Sequence, residues 1–236
     1  MPEILHIRDI TIEVVLKNIK HIHLTVHPPQ GKVRVTAPRR MQLETIRLFA
    51  LSKLQWIRKK QEAMRLQDRE TIREYLNRES HCVWGKRYLL RVVERDAPAT
   101  VALGHSELLL HVRAGTDQSH HRELLASWYR DQLRVAVEPL IKQWSGVLGV
   151  SVKRLFVQQM KTKWGSCNPR ARTIRLNTEL AKKPPEYLEY VLLHELVHLI
   201  EPSHNDRFYS ILARHLPQWS SLRDQLNRTP LVHWEN

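Results

Sequence analysis

His194-Glu195-Leu196-Val197-His198-Leu199-Ile200-Glu201-Pro202-Ser203-His204 is the stretch on which the reading of this chain turns. Two histidines four residues apart on a helix of 3.6 residues per turn project from one face, one turn apart, and can share a metal ion. Zinc suits the arrangement. Neutral imidazole is a good ligand for a borderline-soft ion, and a catalytic site takes three protein ligands and leaves one position for water. Pro202 bars the backbone from continuing the helical ladder, so the chain is expected to turn before His204 and bring that ring to the metal. Asp206 and Asp224 are the other candidates for third ligand.

Glu195 lies beside the first histidine in a segment whose other positions, Val191, Leu192, Leu193, Leu196, Val197, Leu199 and Ile200, are apolar. Such a helix is expected to be buried on nearly every side. An unpartnered carboxylate there would cost roughly several kcal/mol, so its presence asks for a compensating charge or proton. Water acidified by a metal supplies one. In that chemistry the metal polarises the substrate oxygen, Glu195 accepts the water's proton as general base, and the carboxyl then protonates the leaving group.

Upstream, Pro184-Pro185 mark the start of this helix. VKRLFVQQ and RTIRLN read as two short strands joined by the turn-rich KTKWGSCNPRA, and Ser119 to Val147 reads as a helix with Leu124, Leu125, Trp128, Leu133, Val137 and Ile141 on one face. In the first half, ITIEVVLK, HIHLTV and KVRVTA alternate apolar and polar positions and are expected to pair antiparallel, with Pro-Pro-Gln-Gly as a turn. Met41 to about Arg69 has helical spacing (Leu43, Ile46, Ala50, Leu54, Ile57, Met64) with a basic outer face from Lys53, Arg58, Lys59 and Lys60. RYLLRVVE, TVALG and ELLLHVRA read as three more strands, with a hairpin turn at Gly104-His105-Ser106. No internal repeat is visible. The expected fold is therefore α+β: a β-rich N-terminal region with a long amphipathic helix over residues 1–117, then a zincin-like domain over 118–236, divided at the polar stretch Ala114-Gly115-Thr116-Asp117.

Composition narrows the classes. The 236 residues are 42% hydrophobic, enough for a sizeable core. Arg8, Asp9 and Glu13 interrupt the start of the chain and no apolar run reaches the roughly 20 residues of a membrane span, so a cytoplasmic, membrane-free protein is expected. Cys82 and Cys167 stand far apart and outside any C-x-x-C pattern, which argues against disulfides and a cysteine-based zinc site. A net charge of +14 favours anionic partners, including nonspecific binding of nucleic acid through the basic surface. The oligomeric state is left open.

The motifs together carry a resemblance. HELVHLIEPSHNDRF, preceded by MKTKWGSCNPRARTIRLNTELAKKPPEYLEYVLLHELVHL with its Trp-Gly-Ser-Cys turn and Ile-x-Leu-Asn strand, resembles the YgjP-like metal-dependent hydrolases, which are related to the SprT-like and Wss1-like zinc metalloproteases. VTAPRRMQLETIRLFALSKLQWIRKK and GKRYLLRVVE are similar to earlier segments of that family, so the likeness covers nearly the whole chain. It implies His194, His198 and His204 as the metal ligands and Glu195 as the general base. Lys163 stands where the family usually has arginine, and His204-Asn205 with Phe208-Tyr209 replace its usual His-Ser and Phe-Trp. The histidine spacing also fits metzincins, yet Glu201 occupies their glycine and no methionine follows residue 160, which disfavours that class.

Peptide hydrolysis is the leading expectation, with the strand RTIRLN read either as an exposed edge that holds an extended peptide or as an ordinary paired strand. The alternatives are a metal-dependent nucleoside triphosphate (UTP-type) pyrophosphatase or phosphohydrolase and, from another class, a basic nucleic-acid-binding module with structural zinc. Cys167 reads as a packing residue of the turn rather than a nucleophile, and Trp164 as packing the turn on the metal helix. Tyr209 is a core aromatic or an oxyanion donor, and Lys161 and Lys163 attract an anionic substrate or form a solvated face. His120, His121 and His215 receive no role.

Overall fold

The computed structural model describes residues 3–27, 31–66 and 75–229, with 63–66 as backbone only. Met64's side chain, the expected helix end at 67–69, and Pro28 to Gln30 of the expected turn lie outside the described residues. The chain divides into two compact units, Met1–Glu70 with Thr229–Asn236, and Thr71–Arg228.

In the first unit, β1 (Glu3–Ile7), β2 (Ile10–Lys17), β3 (His23–His27) and β4 (Lys32–Pro38) form a sheet of order β1-β2-β4-β3, followed by α1 (Leu43–Ser52) and α2 (Leu54–Leu66). Alternation puts Ile10, Ile12, Val14, Val33, Val35 and Ala37 on one face, where they form a core with Ile46, Ala50 and Ile57. The expected single helix is two, because the backbone leaves helical geometry at Lys53. The expected antiparallel pairing also needs correction. β4 inserts between β2 and β3, so it runs antiparallel to β3 and parallel to β2. Period-two alternation is the same in both cases and does not distinguish them.

The second unit begins with β5 (Ser80–Val83), β6 (Lys86–Glu94), β7 (Thr100–Leu103) and β8 (Glu107–Val112), in order β5-β6-β8-β7, followed by α3 (Gln118–Leu148). This repeats the first unit's design. In each sheet the first two strands meet at a two-residue hairpin, Arg8-Asp9 or Trp84-Gly85, the second and fourth run parallel, and the third and fourth antiparallel. Positive φ falls at Arg8 in one hairpin and at Trp84 and Gly85 in the other. The repeat escapes the sequence because what recurs is the pairing order, while the residues that fill it differ. β1 and β5 were likewise not anticipated, and the turn at Gly104-His105-Ser106 does join β7 to β8.

Ala114 to Asp117 connect β8 to α3 within this unit. Asp117 caps α3 by accepting from the His120 amide, and Gly149 ends it in a left-handed conformation at φ 65°. β9 (Arg154–Gln158), β10 (Gly165–Asn168) and β11 (Thr173–Asn177) follow, then a 3-10 turn (Thr178–Lys182), α4 (Pro185–Val197), α5 (Asp206–His215) and α6 (Trp219–Arg228). α4 is buried on nearly every side, as its apolar run requires, in a core that includes Leu133, Val137, Leu176 and Phe208. The small sheet has the order β10-β11-β9. RTIRLN is thus its buried central strand, the paired alternative and not the exposed edge, and the edges are β9 and β10, the latter inside the segment read as a turn. Among the described residues no helix is long and apolar enough to cross a membrane.

Candidate active site

α4 carries His194 and Glu195 in its last turn and ends on His198, after which one further turn and Pro202 reverse the chain. His204 follows, and Asn205 starts α5 by accepting from the Phe208 amide at 3.0 Å. The ring nitrogens of His194, His198 and His204 lie within 4.8 Å of one another. His194 Nε2 and His204 Nε2 are 3.0 Å apart. Tetrahedral zinc with nitrogens at roughly 2.0–2.1 Å places neighbouring ligands about 3.3 Å apart, so the donor set fits such an ion. Phe208 packs against all three rings, with centroid distances of 4.9, 4.7 and 4.8 Å. His198 Nδ1 lies 3.2 Å from the Glu201 carbonyl, which holds this ring with Nε2 free to face the cluster.

Burial, helped by His198 and His204 nearby, drives the His194 imidazole down to about 3, and burial lowers His198 as well. Both therefore stay neutral, the form that binds metal. Burial pushes the Glu195 carboxyl up to about 7, against the pull of the Lys163 ammonium. Asp206 and Asp224 are absent from the cluster, and Asp224 instead accepts from Arg223 Nε at 3.0 Å. Elsewhere, His120 lies 3.7 Å from Glu123, His121 is buried, and His215 packs edge-on against Trp144.

Beside the cluster is a cleft of about 200 Å³ whose floor is α4, through Tyr190, Val191, His194 and Glu195. One wall is Lys163, Trp164 and Gly165, and the other Arg223, Leu226 and Asn227. Gly165 is a position where only glycine fits: a Cβ would meet Glu195 Oε1 at 2.7 Å, its Cγ at 2.8 Å and Val191 Cγ1 at 2.9 Å. Edge strand β10 can approach the carboxylate this closely for that reason. Asn177, fully buried, holds the segment before β10. Its side chain donates to the carbonyls of Met160 and Lys163 at 2.9 and 2.8 Å and accepts from the amides of Met160 and Glu179.

Sequence reading passed over Gly165, Asn177 and Arg223. The first two stood inside the Trp-Gly-Ser-Cys and Ile-x-Leu-Asn motifs, but Arg223 had no local signal. Trp164 packs against the core as expected, and Lys183 Nζ lies 6.0 Å from its ring centre. Cys167 is half-buried, its thiol pushed up to about 11 by burial and by the Glu195 charge. Tyr209 stacks between His204 and Trp219. Lys163 lines the cleft, whereas Lys161 does not.

A helix-borne histidine pair and a third histidine after a turn converge, with a buried glutamate in the adjoining cleft, and this layout fits a metal-dependent hydrolase. The family model described as YgjP-like, metallopeptidase domain, matches residues 20–229, and the chain belongs to that family. It is a metallopeptidase-family protein, and its three-histidine group can hold the divalent ion such a domain implies. Among solved structures it is similar to the metallopeptidase zymogen of Pyrococcus abyssi abylysin, with 21% identity and a TM-score of 0.37, covering 40% of this chain and 99% of that one. It is also similar to the metallopeptidase zymogen of Methanocaldococcus jannaschii jannalysin, with 21% identity and a TM-score of 0.33, covering 40% and 87%. A comparison with curated proteins finds no match.

Proposed function

We propose that this chain is a zinc-dependent peptidase in which His194, His198 and His204 hold the ion and Glu195 is the general base. The observation that carries the reading is the convergence of three ring nitrogens within 4.8 Å, with one of those histidines, His194, lining the same cleft as the buried Glu195 carboxyl. When bound, the ion supplies a Lewis acid that polarises the scissile carbonyl and acidifies water. Glu195 takes a proton from the attacking water onto a carboxylate oxygen and delivers it to the leaving amine. A carboxyl held near 7 by burial serves both steps, since it gains and loses a proton at small cost around neutral pH. Among the described residues no strand pairs with the far side of β10, so an extended peptide can pair along it beside Glu195. Trp164 and Val191 add apolar surface there and help exclude water.

The test compares wild type with Glu195→Gln for metal content and for hydrolysis of casein and a panel of nucleoside triphosphates. One metal per chain in both proteins, with casein cleavage lost in Glu195→Gln by about three orders of magnitude or more, is the expected result. Glu195-dependent phosphate release without peptide cleavage would move the assignment to phosphoanhydride hydrolysis. Nucleic-acid binding untouched by the substitution, with no turnover in either protein, would leave a binding module with structural zinc.

A further inference from the structure

The cleft beside Glu195 is cationic on both walls. Lys163 comes from the segment before β10 and Arg223 from α6, while among the described residues Glu195 is the one acidic residue that lines the space. Both cations have donors to spare. Among the described residues Lys163 Nζ makes no ion pair, and its backbone is fixed because its carbonyl accepts from Asn177. The Arg223 guanidinium is oriented by two contacts, Nε with Asp224 at 3.0 Å and a stack over the Trp219 ring at 5.0 Å. Those contacts leave its two terminal nitrogens without a hydrogen-bond partner among the described residues, so a preset fork remains available to a ligand.

We infer that Lys163 and Arg223 form an anion-recognising subsite of the peptidase cleft, and that the substrate is a peptide carrying a carboxylate, an Asp or Glu side chain or a free C-terminus, next to the scissile bond. The inference rests on the peptidase reading of the site. A Lys or Arg side chain entering the same space would meet two cations and an ion held by the histidines, so selectivity comes from repulsion as well as attraction. Arg223 supplies a bidentate fork for the carboxylate, and Lys163 a single charge from the opposite wall.

The experiment separates binding from turnover. Glu195→Gln, loaded with zinc, is titrated with fluorescent hexapeptides identical except for one central Glu, Gln or Lys, and with a Gln peptide whose C-terminus is free or amidated. The Glu or free-terminus peptide is expected to bind roughly tenfold more tightly than its neutral partner, and the Lys peptide more weakly than either. Arg223→Met and Lys163→Met, each made in the Glu195→Gln background, should collapse the Glu-to-Gln ratio to within about twofold. Arg223→Lys should keep part of it, which separates charge from the loss of the Trp219 stack. Circular dichroism and metal content confirm that each variant is folded and loaded.

Equal affinity for the three peptides, or a Glu preference that survives both methionine variants, overturns the inference. Tight binding of UTP with no peptide preference also overturns it and assigns the cations to phosphate. Casein cleavage by wild type, measured alongside, reports on the peptidase reading separately: cleavage without charge preference sinks the subsite alone, and absence of cleavage sinks the reading beneath it.

Discussion

At the scale of single residues, the closest fit in the site is that of Gly165 against Glu195. Its φ is one that other residues adopt, so the constraint is space and not backbone strain. Gly165→Ala must push the Glu195 side chain away or lift β10 from α4. In the proposed role of general base, a displacement of Glu195 by about 1 Å costs on the order of a hundredfold in rate. We expect that loss in kcat/KM for casein-type substrates with metal content unchanged, and full activity in Gly165→Ala would show the carboxylate has room to move. Cys167 offers a second check. A thiol held at about 11 instead of its ordinary 9 is protonated throughout the neutral range, with roughly one molecule in several thousand as thiolate at pH 7.5. Alkylation of the Cys167 peptide by iodoacetamide, followed by mass spectrometry, should be slow in the folded protein, rise with pH toward 11, and become rapid on denaturation. Fast labelling at pH 7 would mean an activated cysteine.

Among the elements, β10, β11 and α4 work as a set. β11 is buried as the middle strand, its terminal Asn177 ties down the Met160 to Lys163 segment, and that segment delivers edge strand β10 to α4. Asn177→Ala deletes four side-chain hydrogen bonds in a buried setting and should destabilise the second unit by about 2–4 kcal/mol, read as a lower melting temperature. Because Lys163 and Gly165 lose their anchor, KM for peptides should rise more than metal affinity falls. A variant with wild-type melting and KM would show that the loop is held from elsewhere. These roles were only half legible beforehand. The motif around Ile174 to Asn177 stood out, and its placement as a central strand did not, because a short apolar run flanked by polar residues reads equally as edge or centre until its neighbours are known.

For the whole molecule, the same four-strand and helix arrangement is used twice, and the three-histidine group is in the second unit. The first unit has a core of its own, built around Ile12, Val35 and Ile46. Ile12→Ala removes a fully buried side chain and should cost that core about 3 kcal/mol. Hydrogen exchange is expected to accelerate in peptides from residues 3–66 while those from α4 and α5 keep their protection and the chain keeps its metal. Equal loss of protection at α4 would mean the two cores unfold as one.

The grouping of the three histidines was legible in the sequence, because a shared helix face needs only local periodicity. His194 and His198 share a face by the geometry of one turn, Pro202 forces the reversal that returns His204, and the apolar residues around Glu195 dictate its burial. The α+β class followed from the same kind of local evidence. Strand direction, sheet order and the cleft's second wall were decided only by the tertiary structure, since they depend on pairing between residues far apart in the chain. β2 and β4 became parallel because β3 took the outer position, RTIRLN became central because β10 covered one side, and Arg223 reached the cleft because α6 packs near α4. Alternation of apolar and polar residues says which face of a strand is buried, and nothing about which strand lies beside it.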